Sequence, residues 1–134
     1  MASEGLTTVP SSFQATETME RLEAEIKARG MTVFARIDHA AGASSAGLSL
    51  RPTELLIFGN ARAGTPLMQS RQTIGIDLPL KILVWEDASA QVWLTYNDPA
   101  WLAQRHDVGH GATPTISAMA ASLGDIAQKT TLPP

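Results

Sequence analysis

Residues 51–99 read RPTELLIFGNARAGTPLMQSRQTIGIDLPLKILVWEDASAQVWLTYNDP, and three β-strand patterns in this stretch decide the fold. The apolar run at 53–59 (TELLIFG) predicts a strand that is buried on both faces. The runs at 80–86 (LKILVWE) and 91–96 (QVWLTY) predict two more strands, and the short polar segment between them predicts a hairpin. The stretch therefore predicts a sheet with antiparallel pairing in its second half.

Further strands and helices are predicted on both sides of this stretch. Residues 5–10 and 31–38 have the composition of strands, with Val33, Ala35 and Ile37 on one side of the second. Helical periodicity and capping signals predict helices at 13–29, 65–72, 99–106 and 115–129. The small residues at 39–47 predict one or two helical turns or a loop.

Capping residues place the ends of these helices. Thr65 precedes Pro66 and Asp98 precedes Pro99, an arrangement typical of helix starts because the missing N–H of proline costs nothing at the first helical position. Gly30 follows basic residues at the end of the first long helix and predicts a left-handed C-terminal cap.

The order of these elements, β-α-β-(α)-β-α-β-β-α-α, predicts an α+β fold in one domain over residues 1–134. We expect a two-layer sandwich whose mostly antiparallel sheet of four or five strands carries the helices on one face. The core is expected at about 5–107, with an additional C-terminal helix at about 114–130. A doubly wound parallel sheet is disfavoured because the second half of the chain reads as a hairpin.

The composition argues against several classes of function. A net charge of −3 with scattered basic residues disfavours a nucleic-acid surface, because phosphate binding needs clustered Lys and Arg. The absence of Cys excludes disulfides, thiolate metal sites and a Cys nucleophile. No apolar run approaches the roughly 18 residues that cross a bilayer, and residues 1–13 lack the pattern of a secretory signal. We therefore expect a soluble, cytoplasmic protein with no nucleic-acid or membrane partner.

Five segments follow one another in a specific order, and together they resemble the DUF302 family, also called the TT1751-like family. They are FARIDHAAGA, LRPTELLIFGN, AGTPLM, IGIDLPLKILVWED and VWLTYNDPAWLAQRH. The resemblance covers roughly residues 5–106 and leaves 109–134 largely outside. It implies a small bacterial or archaeal protein with a compact α+β fold of order close to β-α-β-β-β-β-α, and it supplies no catalytic residues.

Two departures from the family pattern bear on chemistry. Members of the family usually have Asn-Pro after the strand-ending turn, whereas Asn60 is followed here by Ala61. Some members carry Cys near the positions of Gly59 and Leu80, and this chain has none. This difference argues against thiol or thiolate-metal chemistry.

Asp38 and His39 end a predicted strand and are candidates for an acid–base pair or for metal ligands. Adjacent strand residues point to opposite faces, so direct contact between the two side chains is not expected. In the structural alternative, Asp38 caps the following helical turn and His39 packs beneath it.

Residues 60–66 (NARAGTP) are predicted to leave a strand as a loop and to enter a helix. Backbone N–H groups at a helix N-terminus can bind an anion, near Asn60 and with help from Arg62. Alternatively, Thr65 satisfies those groups as an ordinary N-cap. Tyr96 ends the second hairpin strand, where its hydroxyl could bind a ligand or reach water while the ring packs.

No metal or cofactor is expected. His106 and His110 are four residues apart, but Gly109 lies between them and predicts the end of a helix, and the HExxH pattern is absent. Tryptophans could line a pocket, although in such positions they are more often part of a core or a dimer surface: Trp85, Trp93 and Trp101.

Three functional hypotheses follow. The first is a small-molecule-binding or accessory domain whose site lies between the sheet and residues 60–66; the candidate ligand-binding residues are Asp38, His39, Asn60, Thr65 and Tyr96. The second is an enzyme with His39 and Asp38 as acid and base, which requires His39 in a cavity with a carboxylate within reach. The third is a homodimeric interaction module joined through a strand edge or a Trp-bearing face. Whether the segments around His39 and Asn60 meet in space decides whether they can form one site.

Overall fold

A five-stranded sheet forms the centre of the computed structural model, which describes residues 4–134. Its spatial order is β1-β5-β4-β3-β2, and every neighbouring pair is antiparallel. This confirms the α+β fold and the antiparallel sheet. Residues 1–3, which the single-domain prediction included, lie outside the described part. The strands are β1 (Leu6–Pro10), β2 (Thr32–Asp38), β3 (Thr53–Gly59), β4 (Leu80–Glu86) and β5 (Val92–Asn97).

The helices connect these strands. Two short 3-10 helices, Gln72–Asp77 and His110–Ala112, adjoin them. The α-helices are α1 (Ala15–Ala28), α2 (His39–Ser45), α3 (Ala61–Ser70), α4 (Pro99–Arg105) and α5 (Thr113–Thr131). Helices α1, α3, α4 and α5 form the second layer.

The face of the sheet that points toward α1 and α5, here called the inner face, carries the main core. Side chains from three strands and both long helices are almost completely buried together, and each such side chain contributes about 1.5–3 kcal/mol of transfer free energy. The members with the least exposure are Met19, Leu22, Ile26, Leu56, Phe58, Ile82, Val84, Leu94, Leu123 and Ile126.

A second, smaller core lies beside the first and joins α3, α4 and α5. Its buried members are Leu67, Ile74, Leu102, Ile116 and Met119. Helix α5 therefore contributes to both cores, although it lies beyond the predicted core at about 5–107.

The C-terminal end of α5 is held by Arg21 of α1. Its guanidinium donates to the backbone oxygens of Lys129, Thr130 and Leu132 over 3.0–3.1 Å. These carbonyls end a helix and have no partner within it, so the arginine satisfies them. Arg29 adds an ion pair between the two long helices, to Asp125.

Local signals fixed several element ends as predicted. The carboxylate of Asp98 accepts a hydrogen bond from the N–H of Ala100 at 3.1 Å, and Pro99 begins α4. Gly30 follows α1 with φ +76°, in the left-handed region that glycine adopts without strain.

Other ends differ from the prediction. Helix α1 begins at Ala15 rather than at residue 13, because the hydroxyl of Ser11 accepts from the N–H of Phe13 and bonds to Thr18, which holds the preceding residues in a turn. Helix α5 begins at Thr113, two residues before the predicted start.

Strand β2 contains a register shift between Val33 and Ala35, which the simple alternation did not predict. Val33 pairs with Phe58 and packs against the inner core, whereas Ala35 pairs with Ile57 on the opposite face. The prediction that Val33 and Ala35 share one side was therefore wrong, because a bulge adds one residue to the strand.

Candidate functional site

A cavity of about 610 Å³ lies at one end of the inner face, between the two cores. Strand β3 and the start of β4 form its floor, and the walls come from the start of β2, from α3 and from α5. The side chains that shape it include Met31, Phe34, Phe58, Met68, Leu78, Leu80, Met119 and Leu123.

The lining of this cavity is apolar and uncharged. Among the described residues that line it, none carries a titratable side chain. Polar side chains are few and lie on α3 and α5 or at the end of β3: Asn60, Thr65, Thr115 and Ser122. Moving a charged group into such surroundings without a partner costs several kcal/mol or more, so the lining selects against charged ligands.

The segment at 60–66 is helical and not a loop, which corrects the sequence prediction. Asn60 is the N-cap of α3, and its Oδ1 accepts from the N–H of Ala63 at 2.9 Å. Thr65 and Pro66 therefore lie inside the helix. Asn is a stronger N-cap than Thr, and Leu67 of the longer helix is buried in the second core.

Because Thr65 lies inside α3, the helix N-terminus that was predicted to bind an anion there does not exist. Backbone N–H groups that the prediction left free are used within α3: Ala63 donates to the Asn60 side chain, and Gly64 donates to the Asn60 carbonyl at 3.2 Å. Arg62 is exposed and is not part of the cavity lining.

Asp38 acts as the N-cap that the structural alternative described. Its Oδ1 accepts from the N–H of Ala41 at 2.9 Å at the start of α2. Asp38 pairs with Glu54 at the beginning of β3, whereas Asn60 follows the end of that strand. The two candidate segments are thus at opposite ends of β3, about 20 Å apart at roughly 3.3 Å per residue, and they do not meet.

His39 is exposed on the first turn of α2, so it does not pack beneath that turn as the structural alternative had it. The cavity lining does not include His39. The carboxylate of its neighbour Asp38 is engaged by the backbone N–H of Ala41. The geometry that the acid–base hypothesis requires is therefore not present at His39.

Tyr96 lies on the inner face, paired with Ile82 and with Thr7, and is 8% exposed. It is a member of the main core and not of the cavity lining. Burial raises the pKa of its hydroxyl above the ordinary value. Of the five candidate residues, the structure thus brings only Asn60 and Thr65 together at the cavity.

The residues that shape most of the cavity were not identified from the sequence. Phe34 is 56% exposed, unusual for a phenylalanine, and it adjoins the bulge of β2. On α5, the small residues Ala118 and Ser122 are four apart, which places them on one face of the helix and leaves room beside the sheet. That spacing was the available signal, but it predicts a cavity only once α5 is known to cross this end of the sheet.

A cluster of polar side chains holds the cavity wall that the 3-10 helix Gln72–Asp77 contributes. The Asp77 carboxylate bonds to Nε2 of His106 at 2.5 Å and accepts from Arg105 at 2.9 Å, and Nδ1 of His106 bonds to the hydroxyl of Thr73 at 3.0 Å. These contacts fasten the wall to α4. Among residues 4–134, no group of three His, Asp or Glu side chains is placed to hold a metal ion.

Comparisons with known proteins agree with this fold. The family model described as "Domain of unknown function DUF302" matches residues 7–126, which reaches into α5 and beyond the limit of the sequence resemblance. A crystal structure of a conserved DUF302 protein from Bacillus stearothermophilus is similar with a TM-score of 0.84 and 19% identity, over 96% of this chain and 99% of that one.

Two curated relatives from Brucella carry names of ion channels. The chain is 56% identical over 122 residues to "Fluoride-specific ion channel FluC 1" from Brucella suis and to the protein of the same name from Brucella abortus. The match covers 91% of this chain but 48% and 45% of those proteins, so the chain spans about half of their length. Within the described residues, every helix is too short or too polar to cross a membrane.

Proposed function

We propose that this chain, which belongs to the DUF302 family, binds a neutral, mainly apolar small molecule in the cavity beside α3. The observation that carries this proposal is a cavity of about 610 Å³ whose described lining has no titratable side chain. Its volume lies within the roughly 300–1,000 Å³ of typical small-molecule sites, which are mostly apolar with a few polar groups.

The few polar groups of the lining favour a ligand with one uncharged polar end. Thr115 and Ser122 offer hydroxyls from α5, and Thr65 offers one from α3. A hydroxyl can donate and accept, so it suits an alcohol, a ketone or an amide. Methionines at 31, 68 and 119 add flexible, polarisable walls that adapt to different shapes.

We infer that the domain has an accessory role in the Brucella relatives. The channel named there belongs to proteins with about twice as much chain as the matched part. The described lining of the cavity has no cation to balance the charge of a small anion such as fluoride, so we assign to this domain the binding of an organic ligand. A cytoplasmic location remains part of the proposal.

Thermal unfolding with matched additives tests this function. At ten times its Kd, a ligand stabilises the folded state by about 1.4 kcal/mol, which raises Tm by roughly 3–6 °C for a domain of this size. We expect 1-octanol to raise Tm, and we expect octanoate at the same chain length, and sodium fluoride against sodium chloride, to leave it unchanged. Equal stabilisation by octanoate, or none by octanol, would contradict a neutral apolar site.

A further inference from the structure

We propose that the face of the sheet opposite the helices, here called the outer face, is the surface through which two copies of this chain associate. The strand register places the same set of side chains on this face across all five strands. Its members are Leu6, Thr8, Pro10, Ala35, Ile37, Thr53, Leu55, Ile57, Lys81, Leu83, Trp85, Trp93, Thr95 and Asn97.

The outer face is apolar yet takes no part in either core. Leu55, Ile57 and Leu83 alternate along their strands with fully buried inner residues, but they remain partly exposed. At the edges of the face, Leu6 is 42% exposed and Ile37 40%. A contiguous apolar surface on a monomer marks a binding surface.

The two indole N–H donors of this face are already bonded within the chain. The indole N–H of Trp85 donates to the hydroxyl of Thr95 at 2.9 Å, which also bonds to Thr8 at 2.9 Å. The indole N–H of Trp93 donates to Asp87 at 2.8 Å. Both indole donors therefore keep their acceptors when a partner covers the face, which lowers the cost of dehydrating it.

The one charged side chain on the face is also engaged. The ammonium of Lys81 donates to the backbone oxygens of Asp77 at 3.1 Å and Pro79 at 2.8 Å, and burial lowers its pKa. The two indoles of Trp85 and Trp93 stack with centroids 6.2 Å apart and form a rigid platform. Rigid aromatic surface is typical of interface centres.

The area of the outer face fits a second copy of the chain. Five strands at about 4.8 Å spacing span about 24 Å, and strands of about six residues at ~3.3 Å per residue are about 20 Å long. Each copy therefore offers a flat area of roughly 500 Å², to which the protruding side chains add further surface. Two copies then bury roughly 1,000 Å² or more, near the lower limit of specific interfaces. We therefore expect a dimer in the micromolar range.

A second copy is favoured over other occupants because the face carries too little charge to recognise a strongly charged partner. Nucleic acid or an anionic membrane needs exposed Lys and Arg, and the only cation here is bonded to backbone oxygens. A mainly apolar face is complementary to itself when two copies pair by a two-fold axis. The Bacillus stearothermophilus structure overlaps over 99% of its own chain, so that fold too is one sheet with one helical layer.

Sedimentation velocity from about 1 µM to about 1 mM tests the proposal, a range that brackets micromolar affinity. Leu83 is the middle residue of the middle strand, so Leu83→Glu places a charge at the centre of the face. We expect wild type to shift from monomer to dimer and Leu83→Glu to dimerise at least about 100-fold more weakly. The control is Leu48→Glu, at a 68% exposed loop position, which should dimerise like wild type.

Cross-linking keeps the test decisive if Leu83→Glu does not fold. The chain has no Cys, so Leu83→Cys introduces a single thiol near the expected axis. A short bis-maleimide should join two Leu83→Cys copies, since packed sheets lie about 10 Å apart, and should not join Leu48→Cys copies. A wild type that stays monomeric over this concentration range would overturn the proposal. Binding of that monomer to anionic vesicles would instead identify the face as a membrane surface. A dimer that persists in Leu83→Glu, or that gives no Leu83→Cys cross-link, would also overturn it.

Discussion

Helices α2 and α3 begin in the same way and reach different environments. Each follows a strand directly, and each N-cap side chain accepts from the backbone N–H three residues on at 2.9 Å: Asp38 from Ala41, and Asn60 from Ala63. Helix α2 nevertheless has no buried residue, whereas α3 buries Leu67 and lines the cavity.

The difference between the two helices arises after the cap. The seventh residue is Ser45 in α2 and Leu67 in α3, so one helix presents a small polar side chain where the other presents a large apolar one. Caps and strand ends decide where a helix starts, but apolar burial decides whether it becomes part of a site. The N-cap therefore explains where each helix starts, and burial explains why only α3 lines the cavity. Matched substitutions in the two helices can test this difference.

The largest expected difference concerns stability at the seventh position. Leu67 is 1% exposed, so Leu67→Ala should destabilise the folded state by about 2–5 kcal/mol through lost burial and a residual cavity. Ser45 is exposed, so Ser45→Ala should change the free energy of unfolding by less than about 0.5 kcal/mol. Urea unfolding followed by circular dichroism measures both values; similar losses in the two variants would mean that α2 is as tightly coupled to the core as α3.

A smaller difference is expected when the caps are removed. Loss of an N-cap side chain costs a helix about 1 kcal/mol. In Asn60→Ala this loss should appear in global unfolding, because Leu67 couples α3 to the core. In Asp38→Ala it should appear mainly as faster amide hydrogen exchange within α2, with little change in global stability. An equal global loss in both variants would break the distinction between the two helices.

Much of the fold could be predicted because local rules govern it. Strands β3 and β4 have the predicted bounds, Asp38 and Asp98 cap as expected, and the family resemblance is confirmed by the match over residues 7–126. The predicted start of α3 was wrong because Asn60 and Thr65 are both competent N-caps, and Asn60, the stronger of the two, caps the helix.

The candidate site was predicted less well because it depends on distant parts of the chain. Residues of β2, α3 and α5 form its walls, and no local pattern reveals that they converge. The separation of Asp38 from Asn60 could have been deduced from the sequence, because Asp38 ends β2 and Asn60 follows β3, and two adjacent antiparallel strands end on opposite sides of their pair. Phe34 was placed by a bulge that simple alternation does not predict.

The most direct test of the ligand-binding cavity uses the fourth residue of each helix, which is glycine in both. A Cβ at Gly64 would lie 3.7 Å from Leu78 and 3.9 Å from Met68 in the cavity wall, whereas a Cβ at Gly42 meets nothing within 4 Å. The side chain in Gly64→Leu therefore occupies cavity volume, whereas the side chain in Gly42→Leu extends into solvent.

The measurement is equilibrium binding of the neutral fluorophore N-phenyl-1-naphthylamine to three proteins whose folding is confirmed by circular dichroism. We predict saturable binding to wild type and to Gly42→Leu, and binding at least about tenfold weaker to Gly64→Leu, a difference of about 1.4 kcal/mol. Binding to Gly64→Leu with wild-type affinity would contradict the assignment of the cavity beside α3 as the ligand site.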